Sequence, residues 1–313
     1  MTVSAAEARM VARDAYLAYL PVVMAYGQLY AEAVDPSSPT FSGGFGRWTH
    51  RKSVLAVSGN RSIARTILDS AVWLDLTVGP WELSTAGEAV SDGSEVTITD
   101  LWGRKVLHVL GELNRSVVIA DQCSSGGPSA ESGFSVAGSR FVRVAVAVEL
   151  DSDLDPERTS SVQRRRQVRQ ADWSKVPVAG EAPDPTEWHP YRTNLLSSLA
   201  FWRLVNFVLT LVSEDCLCRV SLERAAAIGI RPGSAWDGRL LSPGIIESIG
   251  AGMDDALSEL LRSAGSRPDD RDPDGAEPVR FEHLERALAA LRRYGPVDDR
   301  FFMGNRLARE VRR

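Results

Sequence analysis

Three ionisable side chains stand out for chemistry. His50 follows Trp48 and precedes Arg51, and an imidazole with a pKa near neutrality is the natural general base. Asp69 and Asp75 flank Trp73 on one strand-like run. Six residues of unbroken strand separate them by about 20 Å, too far to act as a pair. They are therefore not read as a catalytic pair, and Asp75 is read as a turn or buried hydrogen-bond group. Asp100 sits beside Trp102 and Arg104. An arginine would hold it ionised, and an apolar pocket would raise its pKa toward catalytic range. The expected catalytic set is His50, Asp69 and Asp100, with Tyr30 orienting. Tyr26, Tyr30, Trp48, Trp73, Trp102 and Arg104 are expected to bind substrate, because aromatic walls with a few polar anchors suit an apolar pocket. Glu187-Trp-His-Pro-Tyr191 groups a carboxylate, an indole, an imidazole and a phenol, as a pocket lip or an anchored connector.

Several mechanisms lack their residues. There is no Gly-rich phosphate loop and no Gly-x-Ser-x-Gly elbow. The histidines His50, His108, His189 and His283 are scattered with no metal-binding spacing. Neither a metal nor another cofactor is expected. The 3 cysteines cannot form a disulfide framework. Cys216 and Cys218 lie on an expected helix and point to different faces, and Cys123 precedes a Ser-Gly-Pro loop. Buried, reduced thiols in the cytoplasm are the expectation.

With 313 residues, 44% of them hydrophobic, the chain has material for one large domain or two ordinary ones. Net charge is −5, so no global attraction to nucleic acid or anionic lipid is expected. Lys52, Lys105 and Lys175 are the only lysines against abundant arginine, which suits a GC-rich, actinobacterial coding sequence. Arg164-Arg-Arg-Gln-Val-Arg169 lacks interleaved aromatics and reads as a solvated basic face. The apolar stretch Tyr16–Tyr26 follows Arg9 and Arg13, but Glu7, Asp14 and Pro21 interrupt a signal-peptide pattern. Leu195–Val212 contains Arg203 and Asn206, which favours a buried helix over a membrane span.

These groups need a scaffold. Residues 5–34 read as a helix bent at Pro21, followed by a Pro/Ser/Gly loop from Asp35 to Gly44. Short β-branched runs then appear at Val54–Ser58, Ala71–Val78, Glu95–Thr99, Val106–Leu110, Ser116–Ala120 and Phe141–Leu150. Val142, Val144, Val146 and Val148 alternate with Arg143, Ala145, Ala147 and Glu149, the period of a strand with one buried face. No crossover helices separate these runs, so an antiparallel sandwich is expected. Beyond Asp151 the chain reads as helical, starting at Asp155-Pro-Glu-Arg158. Further helices are expected near 191–213, 216–228, 242–264, 279–294 and 298–312, with a charged loop at Gly265–Gly275. The fold class is α+β: a sandwich-like core at about 50–150, flanked by an N-terminal helix and a C-terminal helical region. Domains are expected at 1–150 and 151–313, or as one continuous domain.

Taken in order, several segments resemble the twelve-fifty-four family of bacterial domains of unknown function. Ala18-Tyr19 and Tyr26-Gly27 resemble its N-terminal pattern, and Gly46-Arg-Trp-Thr-His50 its Asn-x-x-x-His segment without the Asn. Trp73-Leu-Asp-Leu76, followed by Gly79-Pro80, resembles its Trp-Leu-Asp-Leu strand, and Asp100-Leu-Trp102 its Asp-Ala-Trp segment. Val162–Trp173 approximates a Gln-rich helix, and Phe201-Trp202 an aromatic-pair helix. Gly229-Ile-Arg-Pro-Gly233 and Leu241-Ser-Pro243 match its turns. The resemblance implies architecture rather than a reaction. It also implies that a polar signature ahead of Trp73 is rewritten at Ala64–Asp69, where Asp69 stands at a Tyr-type position. Phe302-Met-Gly-Asn-Arg306 resembles the entry to the twelve-fourteen domain commonly fused to the family, so that second sandwich is expected to be missing or supplied by a separate chain.

The functional expectation is a cofactor-independent enzyme on a small, fairly apolar molecule, working by acid–base chemistry as a cyclase, lyase, isomerase or hydrolase, in specialised metabolism. The alternative is a non-catalytic ligand binder or partner subunit. Expected partners are a small-molecule ligand and a second copy or separate chain, with no nucleic acid and no membrane.

Overall fold

The structure is a computed structural model that describes residues 3–57, 63–85, 94–110, 117–121, 134–150, 166–170, 187–212 and 219–263. The fold is α+β as expected: an N-terminal helix, antiparallel sheet and C-terminal helices. The chain divides into two compact units, residues 1–27 with 189–313, and residues 28–188.

The first unit is helical. Helix α1 spans Ala5–Leu29, with its last residues counted in the second unit. Ala8, Val11, Ala12, Ala15, Tyr16, Tyr19, Val22, Val23 and Tyr26 are buried along it, the recurrence of three and four that makes one apolar helix face. Helix α2 is Ala200–Val208, between single 3-10 turns at Thr193–Ser197 and Leu209–Leu211. Helix α3 is Arg219–Ala225, and α4 is Pro243–Ser263. Pro243 opens α4, where its missing N–H leaves no helical bond unmade. The stretch expected as one buried helix is α-helical only over Ala200–Val208, where Phe201, Trp202, Leu204, Val205, Asn206 and Val208 are buried. The Tyr16 ring lies 4.5 Å from Phe201, and its hydroxyl donates to the Leu196 carbonyl at 2.9 Å. Buried Asn206 donates to the carbonyls of Gly229 and Ser234 and accepts from Arg231 N–H, so one amide fixes the Gly229–Ser234 turn. Among the described residues no helix is long and apolar enough to cross a membrane.

The second unit holds two sheets. Its strands are β1 Thr49–Val57, β2 Ile63–Asp75, β3 Trp81–Thr85, β4 Ser94–Asp100, β5 Lys105–Leu110, β6 Val117–Asp121, β7 Phe134–Ala137, β8 Phe141–Leu150 and β9 Arg166–Gln170. One sheet has the order β1-β2-β8-β4-β5 and is antiparallel throughout. The other has the order β7-β6-β3-β9, and β6 and β7 run parallel. Val72 and Leu74 of β2, Val96 and Ile98 of β4, and Val142, Val144 and Val146 of β8 form one buried cluster with Leu83, Val117, Ile119 and Ala137 of the other sheet. This is the inner face of a sandwich, and it matches the alternation in the sequence.

Two expectations change. The sandwich is not wholly antiparallel, because of the β6–β7 pair. Residues 166–170, expected within a helix, form β9 and pair antiparallel with β3 from Trp81↔Gln170 to Thr85↔Arg166. Ladder bonds to β3 outweigh the modest local helix preference of Arg and Gln. The expected helices at 279–294 and 298–312, the helix start at 155–158, the loop at 265–275, Arg164, and all cysteines lie outside the described residues.

In the first unit α1 and α4 cross closely. A Cβ on Gly252 would meet the Arg9 carbonyl oxygen, and the Ala12 methyl at 2.9 Å. Ion pairs flank this contact: Arg9 to Asp255 at 2.7 Å, and Arg13 to Glu259. Gly252→Ala should therefore destabilise the protein by about 1–3 kcal/mol through overpacking, although alanine is the better helix former. Urea unfolding followed by circular dichroism reads the change; equal or greater stability would refute the crossing.

Candidate functional site

The open face of the five-stranded sheet carries a hollow. On β8 the residues between the core valines are Arg143, Ala145 and Ala147. Their cross-strand neighbours form three rows: Asp69–Ala147–Glu95, Ala71–Ala145–Thr97 and Trp73–Arg143–Thr99. Paired residues share a face, so these rows all lie opposite the core. Ala71, Ala145 and Ala147 have nothing beyond Cβ. The longer Asp69, Glu95, Thr97 and Arg143 stand around them, and the lined space is about 350 Å³, within the range of small-molecule sites.

Charged groups occupy two ends. Asp69 and Glu95 flank Ala147, about 10 Å apart by two interstrand spacings. Glu95 accepts from the His108 ring at 2.8 Å and from Thr97 Oγ1 at 3.3 Å. The Glu95 and His108 side chains are 47% and 34% exposed, so this pair works at the rim in contact with water. Arg143 stands at the other end, about 13 Å along β8 from Ala147. Its Nε lies 3.4 Å from Glu32 Oε2, and its side chain is 23% exposed.

Glu32 is buried and comes from a π-helical turn, Tyr30–Val34, that continues α1. Its carboxylate accepts from Trp73 Nε1 at 2.9 Å and from Gln28 Nε2 at 3.2 Å. A buried carboxylate persists only when donors replace its water, and here an indole, an amide and a guanidinium do so. Such π turns widen the helix by one residue and recur at functional sites.

The expected residues fall in different places. Asp69 lines the hollow. His50 pairs with Ser70, not with Asp69, and its Nδ1 is 2.9 Å from Ser70 Oγ. Successive strand residues point to opposite faces, so His50 and Asp69 are on opposite sides of the sheet. The His50 ring lies parallel to Trp48 at 6.4 Å, and Trp48 packs against the sandwich core. Asp100 closes the β4–β5 turn: its Oδ1 accepts from the N–H groups of Trp102 and Arg104, both at 2.9 Å. Gly103, at φ 75°, completes that turn. Trp102 and exposed Arg104 belong to it, with the guanidinium 6.0 Å from the indole centre. Tyr26 belongs to the first unit, where its hydroxyl donates to the His189 carbonyl. Tyr30 is on the π turn. Trp73 is buried against Glu32 rather than forming a wall. None of the six expected substrate-binding residues lines the hollow, because their rings serve the core, the turn and the Glu32 bond.

Trp188 of the 187–191 group stacks on Phe45 at 6.0 Å in the second unit, while Tyr191 lies against Gly27 in the first. Asp75, expected to fix a turn, accepts from Thr77 N–H and takes a two-pronged ion pair from Arg140 at 2.7 and 3.0 Å. Glu95, Thr97, His108, Arg143 and Glu32 were not expected as site residues. The signal for Arg143 is the alternation of β8 itself: the residues between its valines must form the second face. Among the described residues no three or more His, Cys, Asp or Glu side chains gather as metal ligands would.

No protein-family model matches the sequence, and no curated protein matches it. Among solved structures, the chain is similar to the VPA0106 protein of Vibrio parahaemolyticus, a structural-genomics target. The TM-score is 0.58 at 18% identity, covering 92% of this chain and 67% of that one. At that identity the likeness shows the fold alone.

Burial raises the Asp100 pKa above its ordinary 3.8, outweighing the two N–H bonds and the nearby Arg104 charge that lower it. The folded state then binds this proton more tightly than the unfolded chain. Its contribution to stability is greatest below the ordinary value, falls as pH rises through the elevated pKa, and is constant above it. Asp100→Asn keeps an oxygen acceptor for Trp102 and Arg104 and removes the titration. Its stability relative to wild type should rise across that window, read by urea unfolding at a series of pH values; parallel profiles would contradict the assignment.

Proposed function

We propose that the alanine-floored hollow on the second unit binds a small organic molecule and converts it by acid–base chemistry without a cofactor. The observation that carries this reading is the convergence of Asp69, Glu95, Thr97 and Arg143 around Ala71, Ala145 and Ala147, with His108 one hydrogen bond away at the rim. His108 bonds Glu95 through Nε2, which fixes the ring and leaves Nδ1 to accept a proton when the ring is neutral. Glu95 stabilises the imidazolium so formed, and Asp69 supplies a second carboxylate across the floor. Cyclisation, elimination, isomerisation and hydrolysis all fit such a base. The polar rim replaces the aromatic pocket expected from the sequence, so the ligand carries hydrogen-bonding groups.

The resemblance to the twelve-fifty-four family enters the same proposal, resting on motifs such as Trp73–Leu76 and Gly229–Gly233. So do a cytoplasmic setting, a role in specialised metabolism, and a second copy or separate chain as partner. Non-catalytic ligand binding is the second reading. It is favoured by the existing bond between His108 and Glu95, which ties one ring nitrogen and one carboxylate oxygen to each other.

A charge-diverse fragment library should shift the amide resonances of residues 69–71 and 145–147 in the labelled full-length protein. Ala145→Trp, which fills the floor, should abolish those shifts without unfolding the chain. For any library member that is converted, His108→Gln should slow turnover by about 100-fold or more. No shifts from any fragment would end the reading. Binding without conversion, or undiminished turnover in His108→Gln, would leave only the binding role.

A further inference from the structure

Among the described residues Arg143 is the basic residue that lines the hollow, and its geometry is unusual. Its one hydrogen bond among the described residues runs from Nε to Glu32 Oε2, at 3.4 Å. Arg140, three positions earlier, gives Asp75 both Nε and Nη2 in a closed ion pair. Arg140 is thus consumed by the fold. Arg143 is held at its Nε, while its two terminal amino groups have no hydrogen-bond partner among the described residues. A guanidinium has five donors in a planar fork, matched to the two oxygens of a carboxylate.

Glu32 fixes where that fork sits. Trp73 Nε1 donates to the same Oε2 as Arg143, Gln28 Nε2 donates to Oε1, and the π turn brings Glu32 to the row containing Trp73 and Arg143. Glu32 is a positioning residue: it touches Arg143, not the space in the hollow. The opposite end carries two carboxylates, Asp69 and Glu95, on either side of Ala147. Glu95 already accepts from His108 and Thr97, and a carboxylate has lone pairs for more than one donor. About 13 Å of strand separates the two ends, and the side chains shorten the gap.

Building on the small-molecule reading above, we infer that the ligand is a monocarboxylic acid with a hydroxyl or N–H donor at its far end. Its carboxylate is gripped by Arg143, and its donor faces Asp69 and Glu95. Ala71, Ala145, Ala147 and Thr97 leave room for the body of the molecule between them.

The test uses labelled full-length protein and three acids: para-hydroxybenzoate, para-hydroxyphenylacetate and omega-hydroxyhexanoate, each paired with its neutral primary amide. At least one acid should shift the amide resonances of residues 143–147 with an affinity about tenfold above its amide, as expected for charge-assisted bonds. Arg143→Gln should erase that preference to within about twofold, and Arg143→Lys should keep part of it as a point charge. Arg143→Gln removes the Arg143 cation from Glu32, so the Glu32→Gln/Arg143→Gln double variant is measured beside it and serves if the single variant fails to fold. Acids and amides binding alike, or a preference that survives both glutamine variants, would overturn the inference while leaving the hollow a binding site. No shift from any of the six compounds also overturns it, and the charge-diverse library then decides separately whether the hollow binds anything.

Discussion

The second unit depends on strand β8, which lies between β2 and β4 at the centre of the five-stranded sheet. Its alternation sends Val142, Val144 and Val146 into the shared core. Burying one such side chain contributes about 1.5–3 kcal/mol. A slip of one residue would carry all of them to the other face, so the core fixes the register. The register in turn fixes which residues meet on the open face. Ala71, Ala145 and Ala147 come side by side because Val72, Val144 and Val146 must lie beneath them. The strand is secured by two ladders and by its inner face, so its outer face is released from packing and can be hollow.

The same sheet separates two kinds of ion pair. Asp75 and Arg140 meet at the end of β2, where the carboxylate also caps the following 3-10 turn. Every oxygen there has a local duty, and the pair stabilises a chain reversal. Glu32 and Arg143 meet over the middle of the sheet. Glu32 is buried and accepts from Trp73 and Gln28, whereas Arg143 engages it through one nitrogen and lines the hollow. A buried carboxylate beside a partly committed guanidinium is poor economy for stability alone, since a well-packed apolar pair would do as well. It is intelligible if the guanidinium has a second client.

Much of the scaffold is legible in the sequence because its signals are local. Phe141–Leu150 alternates without interruption and is β8 as read. Helix α4 runs from Pro243 to Ser263 where the apolar spacing and proline mark it. β9 stands where local pattern predicts a helix, because strand pairing with β3 is a distant event, invisible within Arg166–Gln170. The parallel β6–β7 pair is hidden for the same reason. The candidate site is legible only in part. Asp69 lines it. His50 could be placed on β1, but its face depends on the pairing of His50 with Ser70, which no local pattern encodes. The aromatic residues were read as pocket walls because large rings bury well anywhere. In the structure Trp73 serves Glu32, Trp48 serves the core, and Trp102 marks a turn.

Register also explains why a shared fold says little here about chemistry. A sandwich needs apolar residues at alternate positions and turns at its corners, and those demands can be met at 18% identity. They constrain the inner face. Away from Trp73 and its Glu32–Arg143 bonds, the open face contributes less to folding, so Asp69, Glu95 and the alanines between them can be exchanged with little disturbance of the core. Any function carried by this sheet is therefore written in the half of the alternation that stability leaves unspecified. Glu32 joins the two halves: it is buried like a core residue, yet its bond to Arg143 matters on the open side. A change at Glu32 would be felt by the fold through Trp73 and by the hollow through Arg143, which makes it the position where the demands of stability and recognition meet.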